Sequence, residues 1–204
     1  MYITTLGCGA PTLGASYLLS DDFTAADNTF INGRSIPVGT ATPVTWYSRG
    51  GGAGPYIISN SLKTQPGTTS QLVTANCGTA NHLVRFQYTT PASIAGNQNS
   101  LSEVIVRSSG DNDRWAFVFS TNGSSAASGI YSVIGGSVTA VQTDSYSMSA
   151  NTTYWVEFEA TGTTLTGRIY AADGTTLLKT YTTTRDRKST RLNSSHANIS
   201  YAVF

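Results

Sequence analysis

The sequence predicts an all-β fold, an antiparallel sandwich or barrel, on three observations. Short segments alternate apolar and polar residues with period two, the pattern of half-buried strands. Turn-forming clusters separate them: SSGDND, TNGSSAAS, IGGS, ATGT and AADGT. The composition is rich in Thr, Ser, Gly, Asn and Tyr, poor in charge, and without sustained 3.6-residue periodicity.

The predicted strands are, in order, residues 17–19, 44–47, 56–58, 71–74, 82–89, 102–107, 114–120, 129–134, 137–142, 153–160, 163–170 and 176–182. The first four are short apolar or β-branched runs among Gly, Pro and Ser clusters. In the fifth, Val84, Phe86 and Tyr88 share one face and Leu83, Arg85 and Gln87 the other. The sixth carries the apolar run Val104-Ile105-Val106 and ends at Arg107. In the seventh, Trp115, Phe117 and Phe119 oppose Ala116 and Val118. The eighth and ninth flank the turn IGGS. In the tenth, Tyr154, Val156, Phe158 and Ala160 oppose Trp155, Glu157 and Glu159. Gly162, then Asp173-Gly174, mark tight hairpin connections to the last two. Val84, Phe86, Tyr88, Phe117, Val156 and Phe158 are the predicted shared core.

Three segments organise the chain. Residues 1–16 are uncharged and Gly- and Thr-rich, and read as a leader, linker or short strand outside the main domain. Residues 17–185 are the domain. Residues 186–204 resemble translated sequencing adapter: DRKSTRLNSSH back-translates codon for codon to a widely used short-read library adapter, Ala197-Asn198 fits its six-base index, and Ile199 to Phe204 fit the stretch that follows. The expectation is a natural chain interrupted near Arg185, with Ile199, Tyr201 and Val203 forming an accidental strand pattern.

Charge and cysteine content exclude several classes. The chain has 12 basic and 11 acidic residues, a net +1; without residues 186–204 the counts are 9 and 10, a net −1. There is no basic field for nucleic acid or anionic lipid, and no segment is long and apolar enough to span a membrane. Cys8 and Cys77 are too isolated for a metal or redox motif. Cys8 in TLGCG lacks the flanks of a lipoprotein signal. Gly50 to Gly54 is followed by Pro55, so it is no phosphate loop. His82, with no motif around it, reads as structural or surface.

Four stretches carry a family resemblance. LLSDDFTAADNTFINGR and TWYSRGGGAGPYIISNSLK, then EVIVRSSGDNDRWAFVF, then NTTYWVEFEATGTTLTGRIYAADGTTLL are similar, in that order, to concanavalin A-like (laminin G-like) jelly-roll domains. The resemblance covers about Tyr17 to Thr184 and implies an antiparallel two-sheet jelly-roll sandwich, lacking a strand or two at its C-terminus. It also implies lectin-like or glucanase-like sites. The β-glucan-cleaving enzymes of this fold carry E-x-D-x-x-E on one strand; here only Glu157-Phe158-Glu159 comes near, so the pair is expected on a solvated outer face without catalysis. Relatives that bind calcium at the sandwich rim make Asp111 and Asp113 the candidate metal ligands, with an ordinary turn as the alternative.

Sugars present flat C–H faces and hydroxyls, so an aromatic platform with polar neighbours is the signature sought. Trp155, Tyr131, Arg107 and Trp115 are the candidate ligand residues, with Trp155 the expected exposed aromatic and a core position the alternative for Trp115. The expectation is a non-catalytic carbohydrate-binding or adhesion module of a phage virion or secreted surface protein. It needs no cofactor beyond that calcium, and its partners are a glycan, a second copy or virion proteins. The competing readings are a virion decoration protein without a small ligand and a glycosidase-like enzyme.

Overall fold

The structure, a computed structural model, describes residues 2–9, 17–36, 47–49, 55–63, 71–76, 81–90, 92, 101–110, 112–121, 127–185 and 198–203. Every regular element among them is a strand: β1 Tyr2–Gly9, β2 Tyr17–Asp21, β3 Thr29–Phe30, β4 Tyr47–Arg49, β5 Tyr56–Ile57, β6 Leu62–Lys63, β7 Gln71–Asn76, β8 His82–Thr89, β9 Leu101–Gly110, β10 Asp113–Thr121, β11 Ser128–Ile134, β12 Ser137–Asp144, β13 Ser147–Met148, β14 Thr153–Thr161, β15 Thr164–Tyr170, β16 Leu177–Thr184 and β17 Asn198–Val203. They form two sheets. The first runs β16-β15-β14-β8-β1-β6-β5-β3, with β2 also paired to β1; the second runs β12-β11-β10-β9-β17-β7-β4, with β13 paired to β10. The β10–β13 contact is parallel; the other described pairings are antiparallel.

Period-two patterning sets which face each strand buries. Along β8, His82, Val84, Phe86 and Tyr88 are buried and alternate with half-buried neighbours. Tyr154, Val156, Phe158 and Ala160 of β14 point the same way, in register with Tyr88, Phe86, Val84 and His82. Facing them from the second sheet are Val104 and Val106 of β9, Trp115, Phe117 and Phe119 of β10 and Ile130 of β11. The predicted core residues all lie in this one cluster. Aromatic rings bridge the sheets: Phe117 lies 5.8 Å from Phe158 and 5.5 Å from Tyr181, and Tyr88 meets Phe119 edge-on at 5.2 Å.

Three segments depart from the sequence reading. Tyr2–Gly9 is not outside the domain: β1 pairs with both β8 and β2, with Cys8 opposite Val84 and Leu19. An uncharged strand suits a position between two neighbours, where no charge need be kept in water. The two-residue strands β3 and β6 carry too little pattern to be seen in sequence, whereas β5 falls within the predicted strand at 56–58. β5 and β6 are joined by Ile58–Ser61, a two-residue hairpin in which Ser59 and Asn60 both take positive φ (51° and 53°) and Ile58 and Ser61 exchange backbone hydrogen bonds. Finally, β17, read in sequence only as an accidental strand pattern, lies between β7 and β9. Residues 10–16, 44–46, 50–54, 186–197 and Cys77 are outside the described residues.

A polar clasp joins the edge strands β12 and β16. Tyr181 donates its hydroxyl to Asp144 Oδ1 at 2.6 Å, the Tyr146 N–H donates to the same oxygen at 2.9 Å, and Lys179 pairs with Oδ2. Burial alone would raise the Asp144 carboxyl, but the Lys179 and Tyr181 hydrogen bonds hold it below the ordinary Asp range. Burial, then the bond to Asp144, pushes the Tyr181 hydroxyl upward.

Two outcomes follow from this packing. A Cβ on Gly167 would stand 2.6 Å from Phe117 Cδ2, so Gly167→Ala should cost about 1–3 kcal/mol by overpacking. Phe117→Leu in the same chain should recover part of that loss, giving a non-zero coupling in denaturant melts of the double-mutant cycle. Asp144→Asn should lower the melting temperature at neutral pH. Because the folded carboxyl is depressed, its contribution is present above the unfolded Asp value and lost as pH falls through the folded one. Melting curves of the two proteins should therefore converge in acid.

Candidate functional site

The outward face of the first sheet is a grid of side chains. Its rows are set by register. Trp155 of β14 lies beside Tyr170 of β15, which pairs with Leu177 of β16; then come Glu157, Arg168 and Thr180; then Glu159, Thr166 and Thr182; then Thr161, Thr164 and Thr184. On the other flank β8 sets Gln87 beside Trp155, Arg85 beside Glu157 and Leu83 beside Glu159.

Glu157 is the centre of this face, and it is not solvated as the sequence suggested. It is only 3% exposed. Arg85 Nη1 donates to Oε1 at 3.0 Å, and Tyr170 Oη and Arg168 Nη1 reach Oε2 at 3.0 and 3.5 Å. Long flanking side chains cover the short acid, which alternation alone does not reveal. Glu159 is half-buried, pairs with Arg168 at 2.8 Å and accepts from Thr161 Oγ1 at 3.1 Å. The charges on this patch balance, two guanidinium groups against two carboxylates.

Arg85 also orders the aromatic end. Its guanidinium carbon lies 4.8 Å from the Trp155 ring centre and 5.6 Å from that of Tyr170. Its Nη2 donates to the Gly174 carbonyl at 2.6 Å. Gly174 has φ 69° and is buried; a Cβ there would stand 2.8 Å from Arg85 Nη2 and 3.1 Å from the indole Cδ1 and Nε1. Only glycine fits this approach. Asp173 ties down the same turn, accepting from the Thr175 and Thr176 N–H groups at 2.9 Å and from Thr176 Oγ1 at 2.5 Å. Those bonds, the Thr176 hydroxyl first, lower its carboxyl to about 2.

The sequence-derived candidates do not converge. Trp155 is half-buried at the aromatic end just described. Tyr131 lies on the outer face of the second sheet, packed with Ile105, Ala116 and Val118, and donates to the Ala127 carbonyl at 2.8 Å. Trp115 is a correction: at 3% exposure it belongs to the core, because it shares the inward face of β10 with Phe117 and Phe119. Arg107 has positive φ (53°) and donates to the Gly162 carbonyl at 2.7 Å and Asn81 Oδ1 at 3.2 Å, tying β9 to the β14–β15 turn. His82 is fully buried, which fits the structural of its two readings. Glu103 is also buried on the second sheet; desolvation raises its carboxyl and Arg114, at 3.3 Å, opposes that rise.

Asp111 is outside the described residues, and Asp113 Oδ1 accepts the Gly135 N–H at 3.0 Å, so it braces a hairpin turn. Among the described residues no three His, Cys, Asp or Glu side chains gather as a cation would require. Tyr170, Arg85, Arg168 and Gly174 escaped the sequence reading. Each sat on a visible alternating face or turn, but their meeting depends on the register between β8, β14 and β15.

No protein-family model and no curated protein matches the chain. Solved structures do. The carbohydrate binding module CBM66 from Bacillus subtilis superposes with a TM-score of 0.52 at 11% identity, over 78% of this chain and 91% of that one. Winged bean acidic lectin, complexed with methyl-alpha-D-galactose, gives 0.55 at 15% identity, over 78% and 83%. Peanut lectin gives 0.51 at 10% identity, over 78% and 82%. With the two antiparallel sheets, these matches establish a concanavalin A-like, lectin-type jelly-roll fold.

The ion-pair geometry generates a test. Glu157→Gln leaves two half-buried guanidinium groups short of the carboxylate they share, with Arg168 still held by Glu159, and should cost about 1–3 kcal/mol in urea or guanidinium melts. Tyr170→Phe removes only one neutral donor and should cost about 1 kcal/mol.

Proposed function

We propose that this domain is a non-catalytic carbohydrate-binding module, displayed on a virion or a secreted surface, with the outward face of the first sheet as its glycan platform. One observation carries the reading: Trp155 and Tyr170 stand side by side at one end of a face whose other side chains, apart from Leu83 and Leu177, are hydrogen-bonding groups. Aromatic rings take the C–H faces of a sugar, while Thr, Arg and Glu take its hydroxyls. The names of the superposing proteins, a carbohydrate binding module and two lectins, support the same class, though fold alone does not transfer function.

Non-catalysis rests on the two acids of β14. Glycoside hydrolysis needs one carboxyl free to donate a proton and a second positioned as base or nucleophile. Here Glu157 is committed to Arg85, Arg168 and Tyr170, and Glu159 to Arg168 and Thr161. The virion-structural reading draws on a different feature. On the outer side of the second sheet Ile105, Ala116 and Val118 are buried with Tyr131 packed against them, and the exposed apolar residues are Ile134 and Val138, at 50% and 65%, on the neighbouring hairpin.

A glycan array followed by calorimetry separates these readings. Wild-type protein should bind at least one glycan class, and Trp155→Ala should weaken that binding at least tenfold while the fold, followed by circular dichroism, persists. An array without hits would favour the virion-structural reading. Hydrolysis of a β-glucan that disappears in Glu157→Gln would overturn the non-catalytic assignment.

A further inference from the structure

We infer that the glycan bound on the first sheet is an extended, uncharged polysaccharide chain lying along β15, rather than a single terminal sugar. The inference rests on the carbohydrate-binding reading above and specifies its ligand.

The grid has length, direction and charge balance. Same-face residues of a strand are about 7 Å apart, so the four rows from Trp155–Tyr170 to Thr161–Thr164 span about 20 Å. Only the first row is aromatic. The next three carry Arg168 and Thr180, then Thr182 beside a buried Thr166, then Thr161, Thr164 and Thr184. Thr161, Thr180, Thr182 and Thr184 are exposed. A pocket for one residue would need side chains converging on a point; this surface repeats hydrogen-bonding groups at intervals along a line.

One end is closed. The turn after β15 folds back so that Gly174 is buried against Trp155 and Arg85, and Asp173 fixes its shape. The opposite end, at Thr161, Thr164 and Thr184, has no such cover from the described turn. A chain would thus stack one unit on the Trp155–Tyr170 end and extend over the Thr rows. Its charge follows from the pairing. Arg85 and Arg168 are already neutralised by Glu157 and Glu159, so a sulfated or carboxylated polymer would have to break those pairs to gain a cation. A neutral polymer disturbs none of them.

Affinity electrophoresis of the full chain in gels containing laminarin, xylan, galactomannan, inulin or dextran sulfate tests the class, and calorimetry with oligosaccharides of the retarding polymer tests the length. Retardation by a neutral polymer should be seen, with affinity rising at least tenfold from disaccharide to hexasaccharide. Thr182→Lys, two rows from the aromatic end on an exposed edge strand, should reduce hexasaccharide affinity at least fivefold and narrow its advantage over the disaccharide. Equal affinity for disaccharide and hexasaccharide, unaffected by Thr182→Lys, would sink the extended-chain inference and leave carbohydrate binding standing. Retardation by dextran sulfate alone would sink the neutral-ligand claim. No retardation in any gel, with an empty glycan array, would remove both the inference and the reading beneath it.

Discussion

The contact between Phe117 and Gly167 sets the relation of the two sheets. Phe117 belongs to β10 of the second sheet and Gly167 to β15 of the first, and the ring occupies the space a Cβ would need. Glycine weakens a strand by its backbone entropy, so it is retained where something must approach closely. Here the gain is a ring seated among Phe119, Phe158 and Tyr181. The contact also fixes the phase of β15. With Leu165, Gly167 and Ile169 inward, Thr164, Thr166, Arg168 and Tyr170 must face out. The outward platform is thus a consequence of the inward packing, and a one-residue slip would bury Arg168 and expose Ile169.

Glu157 plays the corresponding part on the outer face. A buried carboxylate is costly unless its partners are close and its lone pairs filled. Three donors from two neighbouring strands meet that requirement. Such a network adds little net stability over an apolar replacement, but it holds Arg85 in one place, and Arg85 in turn positions the Trp155 ring and the Gly174 turn. The aromatic end is therefore pre-organised, which reduces the ordering cost of binding a flat ligand.

Much of the fold was legible in the sequence because alternation reports directly which face a strand buries. β8 obeys it; β10 is buried on both faces, yet its alternation still groups Trp115 with Phe117 and Phe119, the core alternative that the structure bears out for that indole. What alternation cannot report is partners. Arg85 and Glu157 are 72 residues apart, and nothing local to either shows that β8 and β14 pair with those two opposite each other. The same blindness hid the burial of Glu157 and the pairing of Tyr170 with Trp155. It hid β1 for a different reason: a Thr- and Gly-rich strand has little apolar contrast, so only its neighbours reveal it.

The first of the stretches that carry the family resemblance is itself explained by packing. In the opening D-D-F run, Asp21 is 1% exposed and takes Arg34 in a two-point contact, Nε to Oδ2 at 3.1 Å and Nη2 to Oδ1 at 3.0 Å. The hydrogen bond and charge of Asp21 raise the guanidinium above its ordinary value, against the effect of burial. Asp21 Oδ1 also accepts the Phe23 N–H at 2.8 Å, holding Phe23 at φ 56°. A bulky residue in the left-handed region carries strain of about 1–3 kcal/mol, offset here by full burial of the ring. Asp21 and Phe23 are thus spaced to turn the chain into the core, and neither presents a surface to a ligand. A motif of this kind can be shared across proteins that bind different things, since it encodes an entry angle. Function in this fold has to be sought where packing leaves freedom, and on the first sheet that is the outward face built around Glu157.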